Sequence, residues 1–91
     1  MNNYDVFYAM LDRYPRLAGL WNRETNELKV KLFEAEIGIL SSSERAMAEF
    51  FASVWFHNSD RYGFDLTDVA SRLDMEERQI IIDWLSNPTY P

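Results

Sequence analysis

The sequence predicts a small, mainly α-helical domain of four to five helices, with a short β-hairpin near residues 20–32 as its one β element. A longer hairpin would make the class α+β. Three observations carry this expectation. Apolar residues recur at helical spacing, and two of the helical segments open on capping boxes, Ser41 with Glu44 and Asp74 with Glu77. Strand-like alternation is short: Leu28, Val30 and Leu32 interleave with Lys29 and Lys31. The composition is 47% hydrophobic and 15% aromatic, so a chain of 91 residues carries enough large rings, each burying roughly 150–250 Å², to close one core. A single domain over 1–91 follows.

The first helix is expected from a cap at Asn2 or Asn3 to about Arg13, with Tyr4, Phe7, Leu11 and Tyr14 on one face and Pro15 as its stop. Residues 20–38 read two ways. "RETN" suits a hairpin loop, yet "KLFEAE" is made of helix formers, Glu27 and Lys31 are spaced as a helical ion pair, and Leu28, Leu32 and Ala35 share a helical face. The preferred reading is an extended lead-in at 26–29 and a helix to about Ile37, ended at Gly38. The segment from Ser41 is the strongest helix. Met47, Phe50, Phe51, Val54 and Trp55 fall at i, i+3, i+4, i+7 and i+8, as expected of the central core helix. "NSDRYG" is a loop. Asp65 caps the next helix, whose buried stripe should be Leu66, Val69, Ala70 and Leu73, with Phe64 and Val69 spaced as a hydrophobic staple. Asp74 caps the last helix. Its Ile80, Ile81, Ile82, Trp84 and Leu85 cover more than half its circumference, and Pro88 ends it.

Net charge is −6, and it is uneven: residues 1–40 carry −1 and residues 41–91 carry −5. With no basic cluster along the chain, phosphate backbones are repelled. No Cys is present, which removes disulfides, thiolate nucleophiles and Cys-based metal sites together. No leader-like start and no apolar run of about 20 residues is seen, so a cytoplasmic protein with no membrane partner is expected.

Residues 66–85 resemble the helix-turn-helix pattern of bacterial regulators, at the level of the motif and over about a fifth of the chain. Ala70 would fill the small slot where the two helices touch, and Val69, Leu73, Met75 and Ile80 would fill buried slots. The pattern departs at Asp74, where the turn usually takes Gly, and at Asp83, where an apolar residue is usual. The resemblance implies that Glu76, Glu77, Arg78, Ile81 and Ile82 would face the major groove. Residues 65–84 hold six acids and two Arg, net −4. That sign opposes the phosphate contacts supplying most non-specific affinity.

No catalytic set stands out. His57 is the only His; it lies with Ser59 and Asp60 in "WFHNSD", too close in sequence for the geometry of a triad, and suits the end of a helix instead. The ligand spacing of zinc and EF-hand sites is missing, as is any phosphate-cradling Gly-rich loop, so no cofactor or metal is expected. Phe50 with Phe51 and Trp55 with Phe56 make the core helix apolar over a wide arc, like the last helix. Two such helices either pack fully or leave an apolar patch for a partner. The expectation is therefore a non-enzymatic module that binds another protein, an adaptor or inhibitor. Asp68, Glu76, Glu77 and Asp83 form its candidate surface, suited to the basic face of a nucleic-acid-binding protein. Self-association through 75–86 and DNA binding through 66–85 are the alternatives.

Overall fold

The computed structural model describes residues 2–91. In chain order it contains α1 (Asn3–Leu11), α2 (Pro15–Ala18), β1 (Trp21–Asn22), β2 (Glu27–Leu28), α3 (Val30–Ile37), α4 (Ser42–Phe56), α5 (Leu66–Ala70) and α6 (Met75–Ser86). The domain is mainly α, as expected, with six helices among the described residues; the additional one is the four-residue α2.

Local chemistry sets each boundary. Asn2 caps α1 by accepting the Asp5 N–H at 2.8 Å. The helix ends at Leu11 rather than Arg13, and Pro15 does more than stop it. The ring holds Tyr14 outside the helical region and, at its fixed φ, opens α2 as that helix's first residue. The hairpin pairs Trp21 with Leu28 and Asn22 with Glu27 in antiparallel register, and Lys29 N–H to Leu20 O at 2.9 Å extends it. Asn22 Oδ1 accepts the Glu24 and Thr25 N–H groups, an Asx turn, and Asn26 takes the left-handed conformation that closes the loop. The preferred reading of residues 20–38 holds, with an extended lead-in that pairs back as a hairpin and then a helix over Val30–Ile37; the alternation of Leu28, Val30 and Leu32 does not continue as a strand.

The buried face of α3 differs from expectation. Phe33 is buried, Val30 and Ile37 are half-buried, and Leu32 and Ala35 point outward. Leu28 belongs to β2, so the helical phase is counted from Val30, and i, i+3, i+7 selects 30, 33 and 37. In α1, Tyr8 takes the buried place and Tyr4 is left 38% exposed. The Tyr8 hydroxyl donates to Asn26 Oδ1 at 2.9 Å and Arg23 lies over its ring, so contacts to the hairpin decide which face turns in.

Helix α4 is the axis. Both arms of its capping box at Ser41 and Glu44 are present. Its C-terminus closes in a Schellman arrangement, with Asn58 N–H on Ser53 O, His57 N–H on Val54 O, and His57 left-handed at φ 54°. Ala46, Ala48 and Ala52 are buried and let neighbours approach closely, while its rings reach every direction. Phe51 contacts the rings of Phe7, Tyr14, Trp21 and Phe50; Phe50 contacts Phe64 and Trp84; Trp55 contacts Tyr4, Phe7, Tyr8 and Trp21. One continuous core draws on every helix and both strands except Glu27 and Asn22. Its radius of gyration, 12.2 Å, matches the roughly 12 Å of a close-packed chain of this length.

Removing the ring at the centre of this cluster should be the costliest single truncation. Phe51→Ala is expected to lower unfolding free energy by about 3–5 kcal/mol. Ile39→Ala, at a side chain 73% exposed, should stay within about 0.5 kcal/mol of the parent. Urea titration of both variants checks this; equal losses would show that the core is not organised around Phe51.

Candidate interaction surface

The corner between α5 and α6 is built by two aspartates. Asp65 Oδ1 accepts the Thr67 and Asp68 N–H groups and starts α5. Asp74 accepts the Glu77 N–H at 2.7 Å, Glu77 returns the bond to the Asp74 N–H at 2.9 Å, and α6 begins. Arg78 Nη2 donates to Ala70 O at 3.0 Å, tying α6 back onto the C-terminus of α5.

The four carboxylates of the expected surface do not form one patch. Glu77 is buried, 5% exposed, and leaves the set: its Oε2 accepts the Tyr14 hydroxyl at 2.6 Å while Oε1 serves the cap. It lies at the helix N-terminus, where free N–H groups and the macrodipole favour a carboxylate. Burial, then the Glu77 carboxylate beside it, pushes the Tyr14 hydroxyl far above the usual phenol range, so it remains a donor. Asp83 faces α1. Gln79 donates to it at 2.7 Å and Arg13 at 2.8 Å, and these bonds hold its carboxyl below the usual range. Asp68 pairs with Arg72 at 3.0 Å on α5. Of the four, only Glu76 stands exposed without an ion-pair partner among the described residues.

The helix-turn-helix slots are filled in part. Val69, Leu73 and Ile80 are buried as that pattern requires, but Ala70 is exposed and Met75 is 82% exposed. Helix α5 is five residues long, too short to present its second turn to α6, so the small slot at Ala70 has nothing to receive. Leu66, expected in the buried stripe, is 49% exposed for the same reason. Of the residues that would face a groove, Glu77 and Ile81 are buried and Arg78 is engaged with Ala70.

What the acids vacate, apolar residues occupy. Helix α6 buries Glu77, Ile80 and Ile81 and half-buries Trp84. Met75, Ile82 and Leu85 remain outside, Ile82 and Leu85 at 50% and 51% exposure. The last helix is therefore packed on one side, not on several, and its wide apolar arc leaves a free strip. The signal for it was present in the run Ile80-Ile81-Ile82, because consecutive residues point about 100° apart and cannot all face one neighbour. In α4 the comparable arc is enclosed by α1, the hairpin, Tyr62, Phe64 and Trp84.

His57 turns its ring onto Tyr90, 4.7 Å away, with Nε2 3.2 Å from Pro91 O. Among the described residues it makes no hydrogen bond to Ser59 or Asp60, no three His, Asp or Glu side chains converge as a metal site, and no helix is long and apolar enough to cross a membrane.

Comparison with known proteins finds no match: no family model fits the chain, no curated protein matches its sequence, and no solved structure matches its fold.

Two outcomes follow. In a double-mutant cycle, Tyr14→Phe and Glu77→Gln should couple by about 1–3 kcal/mol, whereas Glu76→Gln should leave stability within about 0.5 kcal/mol; an uncoupled pair would remove the hydrogen bond from the corner's support. Glu49 on α4 is buried, and loss of solvent pushes its carboxyl up despite Arg72 and Arg45. A carboxyl raised in the folded state contributes stability below its unfolded pKa of about 4.3 and loses it as pH rises through the folded value. Glu49→Gln should therefore lose less stability than the parent as pH rises above about 4.3; parallel pH profiles would contradict this.

Proposed function

We propose that the protein is a non-enzymatic interaction module of the cytoplasm, an adaptor or inhibitor, that binds another protein through the outward face of α6. The observation that carries this reading is the exposure of Met75, Ile82 and Leu85 on a helix whose opposite side is docked. Exposed apolar strips of this kind are characteristic of contact surfaces, and a helix face is a common unit of recognition. Among the described residues Glu76 flanks the strip as an unpaired acid, while Asp83, seven residues on, is already paired with Arg13. A partner with a basic rim, such as a nucleic-acid-binding protein, complements that flank, and such charges act on association rate more than on final affinity. The same acids disfavour nucleic acid itself.

Ile82→Asp is the test. Its side chain is half exposed, so the fold should survive with an unchanged unfolding midpoint, while partner affinity should fall by about tenfold or more, as for a central contact residue. Glu76→Lys should mainly slow association and flatten its salt dependence. Undiminished binding by Ile82→Asp would dismiss this face. Sedimentation of the protein alone separates the two kinds of occupant, since a concentration-dependent dimer lost in Ile82→Asp would make the partner a second copy.

A further inference from the structure

The second feature lies across the end of α6 and is independent of its outward face. Residues 87–91, Asn-Pro-Thr-Tyr-Pro, fold back as a strap. Trp84 Nε1 donates to Thr89 O at 2.9 Å. The Tyr90 ring stands edge-on to Trp84, centroids 5.5 Å apart at 89°, and packs on His57. His57 Nε2 meets Pro91 O. Trp84 is the floor of two clefts. One, of about 310 Å³, lies between α1 and α6 beside Phe7, Met10 and Ile80, and Asn87 and Thr89 wall it. The other, of about 300 Å³, lies against α4 beside Phe50, Val54 and Phe64, and Tyr90 walls it. The strap lines both.

The strap is lightly held. Among the described residues no backbone-to-backbone hydrogen bond ties residues 88–91 to another element, and Pro88 and Pro91 have no N–H to give. Asn87 and Pro88 are exposed and Tyr90 is 42% exposed. Segments with few buried contacts and few backbone bonds open locally at low cost.

We propose that the strap is a displaceable internal occupant of one groove, and that the groove takes an extended segment of a partner protein presenting an aromatic side chain. The strap itself defines the chemistry of that ligand. A main-chain carbonyl meets the Trp84 indole N–H, an aromatic ring enters edge-on between Trp84 and His57, and a second carbonyl meets His57 Nε2. Edge-to-face rings at about 5 Å and indole donors on carbonyls are the usual terms of such recognition. Proline on either side favours an extended conformation before binding, which reduces the ordering cost for strap and ligand alike. With the strap lifted, both clefts become a single groove across Trp84.

The test uses the full chain and a blocked peptide, acetyl-Asn-Pro-Thr-Tyr-Pro-amide, titrated by NMR with the Trp84 indole N–H as reporter. Tethering gives the strap an effective concentration in the millimolar range, so the parent should bind the peptide weakly and Tyr90→Ala should bind it about tenfold more tightly. The peptide with Ala in place of Tyr should bind neither. In Tyr90→Ala the Trp84 indole proton should also exchange faster with solvent, which reports opening without any ligand. Equal affinity of parent and variant, no binding to the variant at millimolar peptide, or unchanged exchange would each overturn the proposal. A parent dimer that Tyr90→Ala abolishes would overturn it too, making the occupant the same segment of a second copy. Ile82→Asp should leave peptide binding unchanged, so failure of the α6 face and failure of the groove remain distinguishable.

Discussion

The aromatic seam along α4 is the constraint on which the rest of the structure depends. Its adjacent rings point about 100° apart, so one helix serves several neighbours at once. Phe51 holds α1, Tyr14 and the hairpin; Phe50 holds Phe64 and the base of α6; Trp55 closes over α1. The neighbours could not stand alone. Helices of four and five residues lie below the length at which a helix persists in water, and a hairpin of two residues per strand is marginal without a partner surface. They are ordered because α4 offers each an apolar wall, and they in turn decide which residues of the chain are left outside.

Polar groups then fix the angles between elements. Tyr8 with Asn26 joins α1 to the hairpin, Tyr14 with Glu77 joins the α1–α2 corner to α6, Arg13 with Asp83 ties α1 to α6, and Arg78 with Ala70 O closes the last corner. These bonds engage two of the acids that give the chain its negative balance, Glu77 and Asp83. The consequence for function is direct. Glu77 and Asp83, which look available in sequence, are engaged inside the domain or along its seams, and the outward side of α6 carries Met75, Ile82 and Leu85 beside Glu76, Arg78 and Gln79. The proposed contact surface is apolar with a charged margin, and it differs in kind from the groove proposed at Trp84.

Local signals in the chain were reliable where the physics is local. Asn2, Ser41, Asp65 and Asp74 cap the helices their spacing implies, because a cap involves a side chain and an N–H two or three residues away. The buried face of α4 was legible because five apolar residues share one phase. The phase of α3 was not, since it hinges on whether Leu28 pairs across the hairpin or starts a helix, and that choice rests on Trp21, seven residues earlier. The candidate site was legible in part. Asp68, Glu76 and Asp83 are exposed, but Glu77 was misplaced because its partner Tyr14 lies 63 residues away. The strap residues carry no periodicity, so nothing in their spacing marks their return to Trp84.

The sequence by itself determined the helical class, the caps, the central helix and the absence of thiol chemistry, since each depends on composition or on residues within a few turns of one helix. Tertiary structure alone decided which carboxylates are free, which face of α6 is open and that residues 87–91 return to Trp84 and line two clefts. Those outcomes rest on pairings between distant residues, and solvent exposure belongs to the packed whole: a side chain is outside only when no neighbour has covered it.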